Sequence, residues 1–465
     1  MSYAFTFDAS ACSGCKACQE ACKDKNCLPV GILWRRVIEV SGGDWQASGN
    51  AWENTIFAYN LSLACNHCTH PKCAGVCPVD AYTVRSDGIV LLDSTKCMGC
   101  GYCAWACPYN APQYDALHGI MTKCDFCYDY LDDGLPPSCV AACPLRVLDY
   151  TPLEDMKALK GGQYLWQLPA TEHPFPLPDY SRTEPHLAIK PHAGMKYPLE
   201  KMVSNRDEIL PPGSIENSHR IAAIHELPLV GFTLLTQMAV GMAACGLLLS
   251  SLPASVLLAI GILLAMGGLT SFGHLGRKRN AWRAVIHLRK SWLSREILMA
   301  GLFAIAWAVT AGTKWLGEGS SNPWPTAILG LGLVYCMSRV YRLRAVPSWN
   351  TWRTPVAFYL SVVVLGALGM RLFTPYPGWE YLAGLALAAE VGLALTDNLA
   401  SSSLAGRLRV ALLGLGILGI LIAVIFPDVF GVGMLMVVFS IALLEEVIGR
   451  WQFYAGRVPF PLLTH

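Results

Sequence analysis

The chain has 465 residues and a formal net charge of +2, which excludes the basic excess expected of a nucleic-acid binder. Apolar residues make up 53% and charged residues only 15%, against roughly 25% in soluble domains, so a wholly water-exposed protein is excluded too. Of 19 cysteines, all but Cys245 and Cys336 lie before residue 144, an odd and crowded set that argues for metal ligation in a reducing compartment rather than disulfides.

The opening "MSYAFTFDAS" has neither the basic start nor the apolar run of a secretory leader. Next, "CSGCKACQEAC" sets Cys12, Cys15, Cys18 and Cys22 too close together for all of them to pair with good disulfide geometry. The spacing C-x2-C-x2-C-x3-C suits cubic iron–sulfur clusters, in which three close thiolates hold one cluster and the fourth reaches another. Arg35-Arg36 follows this group without an apolar stretch behind it, so it is not a twin-arginine leader. It is read as a solvated pair on a strand edge.

Three more groups follow: Cys65, Cys68, Cys73 and Cys77; Cys97, Cys100, Cys103 and Cys107; and Cys124, Cys127, Cys139 and Cys143. Each ends on a proline, at 78, 108 and 144. Sixteen thiolates suffice for four [4Fe–4S] clusters. Zinc also takes paired C-x2-C, but has no use for a third close cysteine followed by a fourth donated elsewhere. In ferredoxin-type pairs each group lends its last cysteine to its partner's cluster. The first group is expected to exchange with the fourth, giving Cys12, Cys15, Cys18 with Cys143 and Cys124, Cys127, Cys139 with Cys22. The second exchanges with the third, giving Cys65, Cys68, Cys73 with Cys107 and Cys97, Cys100, Cys103 with Cys77. Cys27 is read as a buried thiol, and Cys245 and Cys336 as small packing residues in helices. Residues 1–150 are thus expected to form an α+β, double ferredoxin-like domain whose short loops depend on metal for stability.

Residues 151–220 are rich in proline and charge, as in "LPATEHPFPLPDYSRTEPHLAIKPH", and read as an extended connecting segment. Residues 221–465 contain eight apolar runs, at about 225–250, 253–275, 296–316, 325–345, 355–374, 380–400, 407–427 and 429–449, each near the roughly 20 residues that cross a bilayer. An all-α integral membrane bundle of eight helices is expected. Trp292, Trp315, Trp324, Trp349, Trp352, Trp379 and Trp451 stand near the run ends as an interfacial belt.

The loop "HLGRKRNAWRAVIHLRKSWLSRE" carries seven Lys and Arg. Arg339, Arg342, Arg344, Arg353, Arg407, Arg409, Arg450 and Arg457 fall in loops on the same side, whereas the opposite loops offer Lys314 and Arg371. By the positive-inside rule the basic side, with the cysteine domain, is cytoplasmic, and the chain is expected in the inner membrane. No histidines are placed as a facing pair, so no haem is expected. Lipid-soluble quinone, menaquinone or ubiquinone, is then the electron carrier. His274, beside the basic loop, is the first quinone-site candidate, because imidazole titrates near neutrality. Arg277 is its companion. Glu390, Asp397, Glu445 and Glu446 are proton-path candidates, since carboxylates within helices of this kind are costly.

The stretches "CNHCTHPKCAGVCPVDAY", "CMGCGYCAWACPYNAPQYD", "TKCDFCYD" and "SRTEPHLAIKP" resemble the four-cluster iron–sulfur subunit of bacterial dimethyl sulfoxide reductase, over about residues 1–195. "HELPLVGFTLLTQMAVG", the basic loop and "EEVIGRWQFYA" resemble the anchor subunit of the same enzyme, so two subunits are fused in one chain. The resemblance implies a partner, a molybdenum subunit with a pterin cofactor. It also implies that the second/third-group pair lies nearer the membrane, and that the position of His274 is linked to quinol binding. Where some relatives replace a cysteine of the third group and hold a three-iron cluster, this chain keeps Cys100. The function implied is electron transfer from quinol to the molybdenum subunit for reduction of dimethyl sulfoxide or another S- or N-oxide. Its reverse is sulfite or similar inorganic oxidation delivering electrons to quinone. A redox-driven ion pump is the third class, and it would call for broken helices and midplane charges.

Overall fold

The computed structural model of the chain describes residues 2–42, 45–54, 56–158, 183–192, 226–249, 251–317, 322–376, 378–395 and 404–456. Most of the connecting segment, Asp397 and Arg457 lie outside these residues. In chain order the first half comprises β1 (Tyr3–Asp8), α1 (Ala17–Lys25), β2 (Arg36–Gly42), β3 (Trp45–Ser48), β4 (Ala51–Asn54), β5 (Phe57–Leu63), α2 (Lys72–Val76), β6 (Tyr82–Val84), β7 (Val90–Leu92), α3 (Tyr102–Ala106), β8 (Gln113–Asp115), β9 (Ile120–Thr122), α4 (Tyr128–Asp132), α5 (Ser138–Ala141), β10 (Leu148–Pro152), α6 (Leu153–Ala158) and β11 (Leu187–Lys190).

The helices are short because cysteine spacing, not apolar periodicity, sets them; α1, the longest, has nine residues. Strand β1 is the middle of a three-stranded sheet, antiparallel to β10 (Phe5 opposite Tyr150) and parallel to β11 (Phe5 opposite Leu187). The described end of the connecting segment therefore completes the sheet of the cysteine domain. Phe5 and Phe7 point into the core with Leu148, Leu187 and Ile189. The remaining strands form two-stranded ladders, of which β2–β5 is the longest.

Two expectations fail here. Cys27 is exposed, because it leaves α1 with φ +47° and turns the chain outward. Arg35 and Arg36 are buried, 1% and 7% exposed, since the start of β2 lies across β5 between the cysteine groups rather than on a wet edge.

After Glu226 the described chain is helical: α7 (Leu227–Cys245), α8 (Ala254–Gly273), α9 (Trp292–Trp315), α10 (Trp324–Tyr341), α11 (Arg353–Phe373), α12 (Gly378–Leu395), α13 (Leu404–Ile425) and α14 (Pro427–Ala455). All eight apolar runs fold as helices. Six are long and apolar enough to cross a membrane among the described residues; α10, with Arg339, and α14, with Glu445, Glu446 and Arg450, are not among the six. Leu258, Ile262, Met266 and Leu269 are exposed at helical spacing along one face of α8, the outward apolar stripe that lipid requires. Trp315, Trp324 and Trp352 are exposed at helix ends as expected, but Trp349 and Trp379 are fully buried. Their indole N–H groups donate inside the bundle, to the Phe453 carbonyl (2.7 Å) and the Thr374 hydroxyl (2.8 Å).

Helix α7 is the bundle's inner member and meets α11 backbone to backbone. A Cβ on Gly241 would overlap the Val362 carbonyl oxygen and lie 2.7 Å from the Gly366 Cα. Neither atom belongs to a side chain that can rotate away. Gly241→Ala is therefore expected to destabilise the detergent-solubilised chain by about 2 kcal/mol, read as a lower thermal midpoint. An unchanged midpoint would show that α7 and α11 separate without cost.

Candidate functional site

The fold gathers the sixteen thiols of the four groups into four sets. Cys12, Cys15, Cys18 and Cys143 line one cavity, and Cys65, Cys68, Cys73 and Cys107 line another. Cys22 lies near Cys139 and Cys127, and Cys124 near Cys22 and Cys139. Cys103 lies near Cys100, Cys77 and Cys97. The fourth cysteine of each group thus sits with the first three of its partner group.

Backbone amides point at the sulfurs: Gly99 and Met121 N–H donate to Cys97 Sγ, Ala81 to Cys77 and Phe126 to Cys124, each at 3.4 Å. Gly99 holds φ +71°, which lets the chain of the third group turn around Cys97 at no steric cost. Such N–H···S contacts favour thiolate over thiol. Burial, with the Cys139 thiol second, pushes Cys22 up to about 12, so its thiolate persists only with a bound cation.

Arg35 tests what fits between the first and fourth groups. Its Nη1 donates to the Ser62 carbonyl (3.3 Å) and hydroxyl (3.2 Å), while Nε and Nη2 are buried without a partner. The thiols around it are Cys139, Cys124, Cys18 and Cys22. A buried guanidinium with idle donors requires an anion. Iron–sulfur clusters held by four thiolates supply one, whereas neutral thiols do not.

The third group rests directly on the helical half. From α3, Tyr102 reaches down to donate to the Val340 carbonyl (3.1 Å). Trp105 packs among His274, Tyr341 and Trp349, with ring centroids 6.3, 6.0 and 5.6 Å away. The basic loop after α8 spends its donors on backbone carbonyls of the second and third groups. Asn280 donates to those of Thr95 and Cys97 (2.9 Å each), Ser291 to that of Val76 (2.7 Å), and His287 Nδ1 faces that of Cys77 at 2.9 Å. Arg277 donates through its backbone N–H to Met98 O, through Nε to His118 O and through Nη1 to Ser94 O, all at 3.0 Å.

His274 caps α8 and touches both halves. Its Nε2 is 3.0 Å from the Cys100 carbonyl, and its Nδ1 is 3.5 Å from Glu226 Oε2. The carbonyl only accepts, so Nε2 carries a hydrogen. Nδ1 is left facing the Glu226 carboxylate. Glu226 escapes a reading of the sequence because it stands just before α7, among ordinary flanking residues. Glu296, buried on α9 near Tyr102 and Tyr341, is hidden inside another apolar run. The signal that does exist is the aromatic pair Tyr102 and Trp105, interleaved with Cys100, Cys103 and Cys107.

A second polar group lies deeper. Oxygens of Glu390, Glu445 and Glu446 are all within 4.8 Å of one another, and all three residues are buried. Arg409 Nε donates to Glu445 Oε1 (2.5 Å), and Ser361 Oγ donates to Glu446 Oε2 (2.7 Å). Arg450 Nη2 donates to Gln237 Oε1 (2.9 Å) and to Ser361 Oγ (3.2 Å). The Tyr341 and Tyr454 hydroxyls meet at 2.6 Å.

Residues 56–152 match the 4Fe–4S dicluster domain family, and residues 221–396 match the DMSO reductase anchor subunit (DmsC) family. Among curated relatives, the B subunit of the anaerobic dimethyl sulfoxide reductase of Escherichia coli K12 is 45% identical over 194 residues, which cover 42% of this chain and 91% of the relative. The corresponding subunit of Haemophilus influenzae is 44% identical over 191 residues, 41% of this chain and 89% of its own length. The formate dehydrogenase iron–sulfur subunit of Wolinella succinogenes is 38% identical over 166 residues, 31% of this chain and 78% of its own.

The arrangement of thiols predicts which substitutions act on the same iron. Cys143→Ser and Cys12→Ser are expected to remove roughly a quarter of the bound iron each and to abolish the same paramagnetic signal. Cys22→Ser should abolish the signal lost with Cys139→Ser. Paired losses within a group, Cys12 with Cys22, would overturn the exchange.

Proposed function

The chain belongs to the family of the dimethyl sulfoxide reductase iron–sulfur subunit, fused to the anchor of the same enzyme, and we propose that it carries electrons from membrane quinol to a separate molybdenum catalytic subunit. The four thiol sets hold four [4Fe–4S] clusters, which when bound supply single-electron transfer between the quinone site and the partner. The bundle crosses the inner membrane eight times with the cysteine domain on the cytoplasmic side, a reading supported by the basic loop that docks that domain. The terminal substrate is dimethyl sulfoxide or another S- or N-oxide.

The observation that carries the reading is His274, which touches the Cys100 carbonyl at 3.0 Å and faces the Glu226 carboxylate at 3.5 Å. Quinol oxidation must release electrons and protons at one place. Here the backbone of a cluster-holding cysteine and a histidine–carboxylate pair are in contact. Nε2–H is fixed by the carbonyl, so Nδ1 and Glu226 are the pair able to accept and pass a proton. Trp105, Tyr341 and Trp349 wall the site. Arg277 is assigned to docking, because its donors are spent on carbonyls at the foot of the cysteine domain. The Glu390, Glu445 and Glu446 group, reached through Arg450 and Ser361, is the candidate proton store behind the site.

His274→Ala in the assembled complex is expected to slow quinol-driven reduction by about 100-fold, the usual contribution of one general base. Reduction driven by an artificial donor that feeds the clusters directly should be unchanged. Glu226→Gln should fall in the same direction by a smaller factor. Equal quinol-driven rates for His274→Ala and the unaltered complex would remove the quinone site from this place.

A further inference from the structure

Arg36 opens β2 and Arg35 stands just before it, and their side chains turn to opposite sides of the chain. They serve different halves of the cysteine domain. Arg36 donates from Nη2 to the carbonyls of Tyr109 (3.1 Å) and Asn110 (3.0 Å), and the thiol that acts on it is Cys107 of the second/third-group pair. Arg35 faces the first/fourth-group pair, with Cys139, Cys124 and Cys22 of one set and Cys18 of the other around it.

Arg35 is held rather than free. Nη1 is fixed by the Ser62 carbonyl and hydroxyl, and that hydroxyl is 3.4 Å from Cys18 Sγ. The guanidinium carbon lies 4.4 Å over the Phe5 ring. At 1% exposure the charge has no water to screen it, and among the described residues its hydrogen bonds go to Ser62 and none to a carboxylate. We propose that Arg35 sets the reduction potentials of the first/fourth-group pair, acting as a fixed positive charge shared by its two clusters. Each cluster gains one negative charge when it is reduced. A cation that cannot move away stabilises the reduced form more than the oxidised one, and so raises the potential. Three of the four thiols around Arg35 belong to the Cys22, Cys124, Cys127 and Cys139 set, so that cluster feels it most. This role rests on the four-cluster reading, which iron analysis of the unaltered chain tests by itself.

The test is potentiometric titration, followed by electron paramagnetic resonance, of the complete complex in its membranes. Arg35→Gln and Arg35→Met are expected to make reduction of the Cys22, Cys124, Cys127 and Cys139 cluster at least tenfold less favourable, which is about 59 mV for a one-electron couple. The Cys12, Cys15, Cys18 and Cys143 cluster should shift less, and the Cys77, Cys97, Cys100 and Cys103 cluster should not shift. Arg35→Lys should restore most of the potential, because it keeps the charge. Arg36→Gln should move only the cluster of Cys107. Full iron with unchanged potentials in either neutral variant overturns the proposal, as does an equal shift of all four clusters. Should Arg35→Gln and Arg35→Met lose iron while Arg35→Lys keeps it, the charge is what the clusters need. Loss in all three means that Arg35 only packs.

Discussion

The two halves of the chain meet backbone to backbone through glycine. A Cβ on Gly276, at the start of the basic loop, would overlap the Gly119 carbonyl oxygen, and one on Gly99 would overlap the same oxygen. With no side chain between them, backbone rests on backbone, and the third cysteine group is lowered onto the end of α8. His274 reaches the Cys100 carbonyl only because of this. The docking bonds of Arg277, Asn280 and Ser291 share the same dependence, since each spans a gap of a single side chain. A larger residue at any of the three glycines would lift the cysteine domain and separate the thiol set from the histidine together.

Both halves bury charge in dry surroundings, and each compensates it differently. In the bundle, carboxylates meet guanidinium and hydroxyl donors: Glu445 with Arg409, Glu446 with Ser361. In the cysteine domain Arg35 and Lys123 have no such carboxylate among the described residues. Lys123 is buried with its ammonium on the carbonyls of Val90 and Cys124, beside the cavity that Cys65, Cys68, Cys73 and Cys107 line. Cations placed against thiols make sense only around sulfur-bound metal of net negative charge. Buried positive charge is therefore as diagnostic of the clusters as the cysteines are.

Much of this was legible in the residues. Cysteine spacing fixes which thiols are near in sequence, and the ferredoxin-type exchange assigns the distant ones. Runs of apolar residues at bilayer length mark the helices, because lipid forces every backbone group into internal hydrogen bonds. Burial of single polar residues was not legible. Arg35 and Arg36 look like a wet pair until the sulfur sets on either side of β2 are known, and Trp349 and Trp379 look interfacial until their indoles find partners within the bundle. Cys27 reads as a plain buried thiol but sits at a left-handed turn that faces water. Glu226 and Glu296 gain meaning only from what another element brings beside them.

The cysteine exchange is nested: the partners of the second and third groups lie wholly between those of the first and fourth. During synthesis the inner thiols are all available while Cys124, Cys127, Cys139 and Cys143 are still to be made. The inner sets close short loops and the outer sets close long ones, and loop closure becomes entropically harder with length. The outer sheet waits longer still, since β1 receives its parallel neighbour β11 only after the outer cysteines have emerged. The order of synthesis thus favours closure from the inside outward, with β11, which precedes the first helix of the bundle, the last strand that the domain receives.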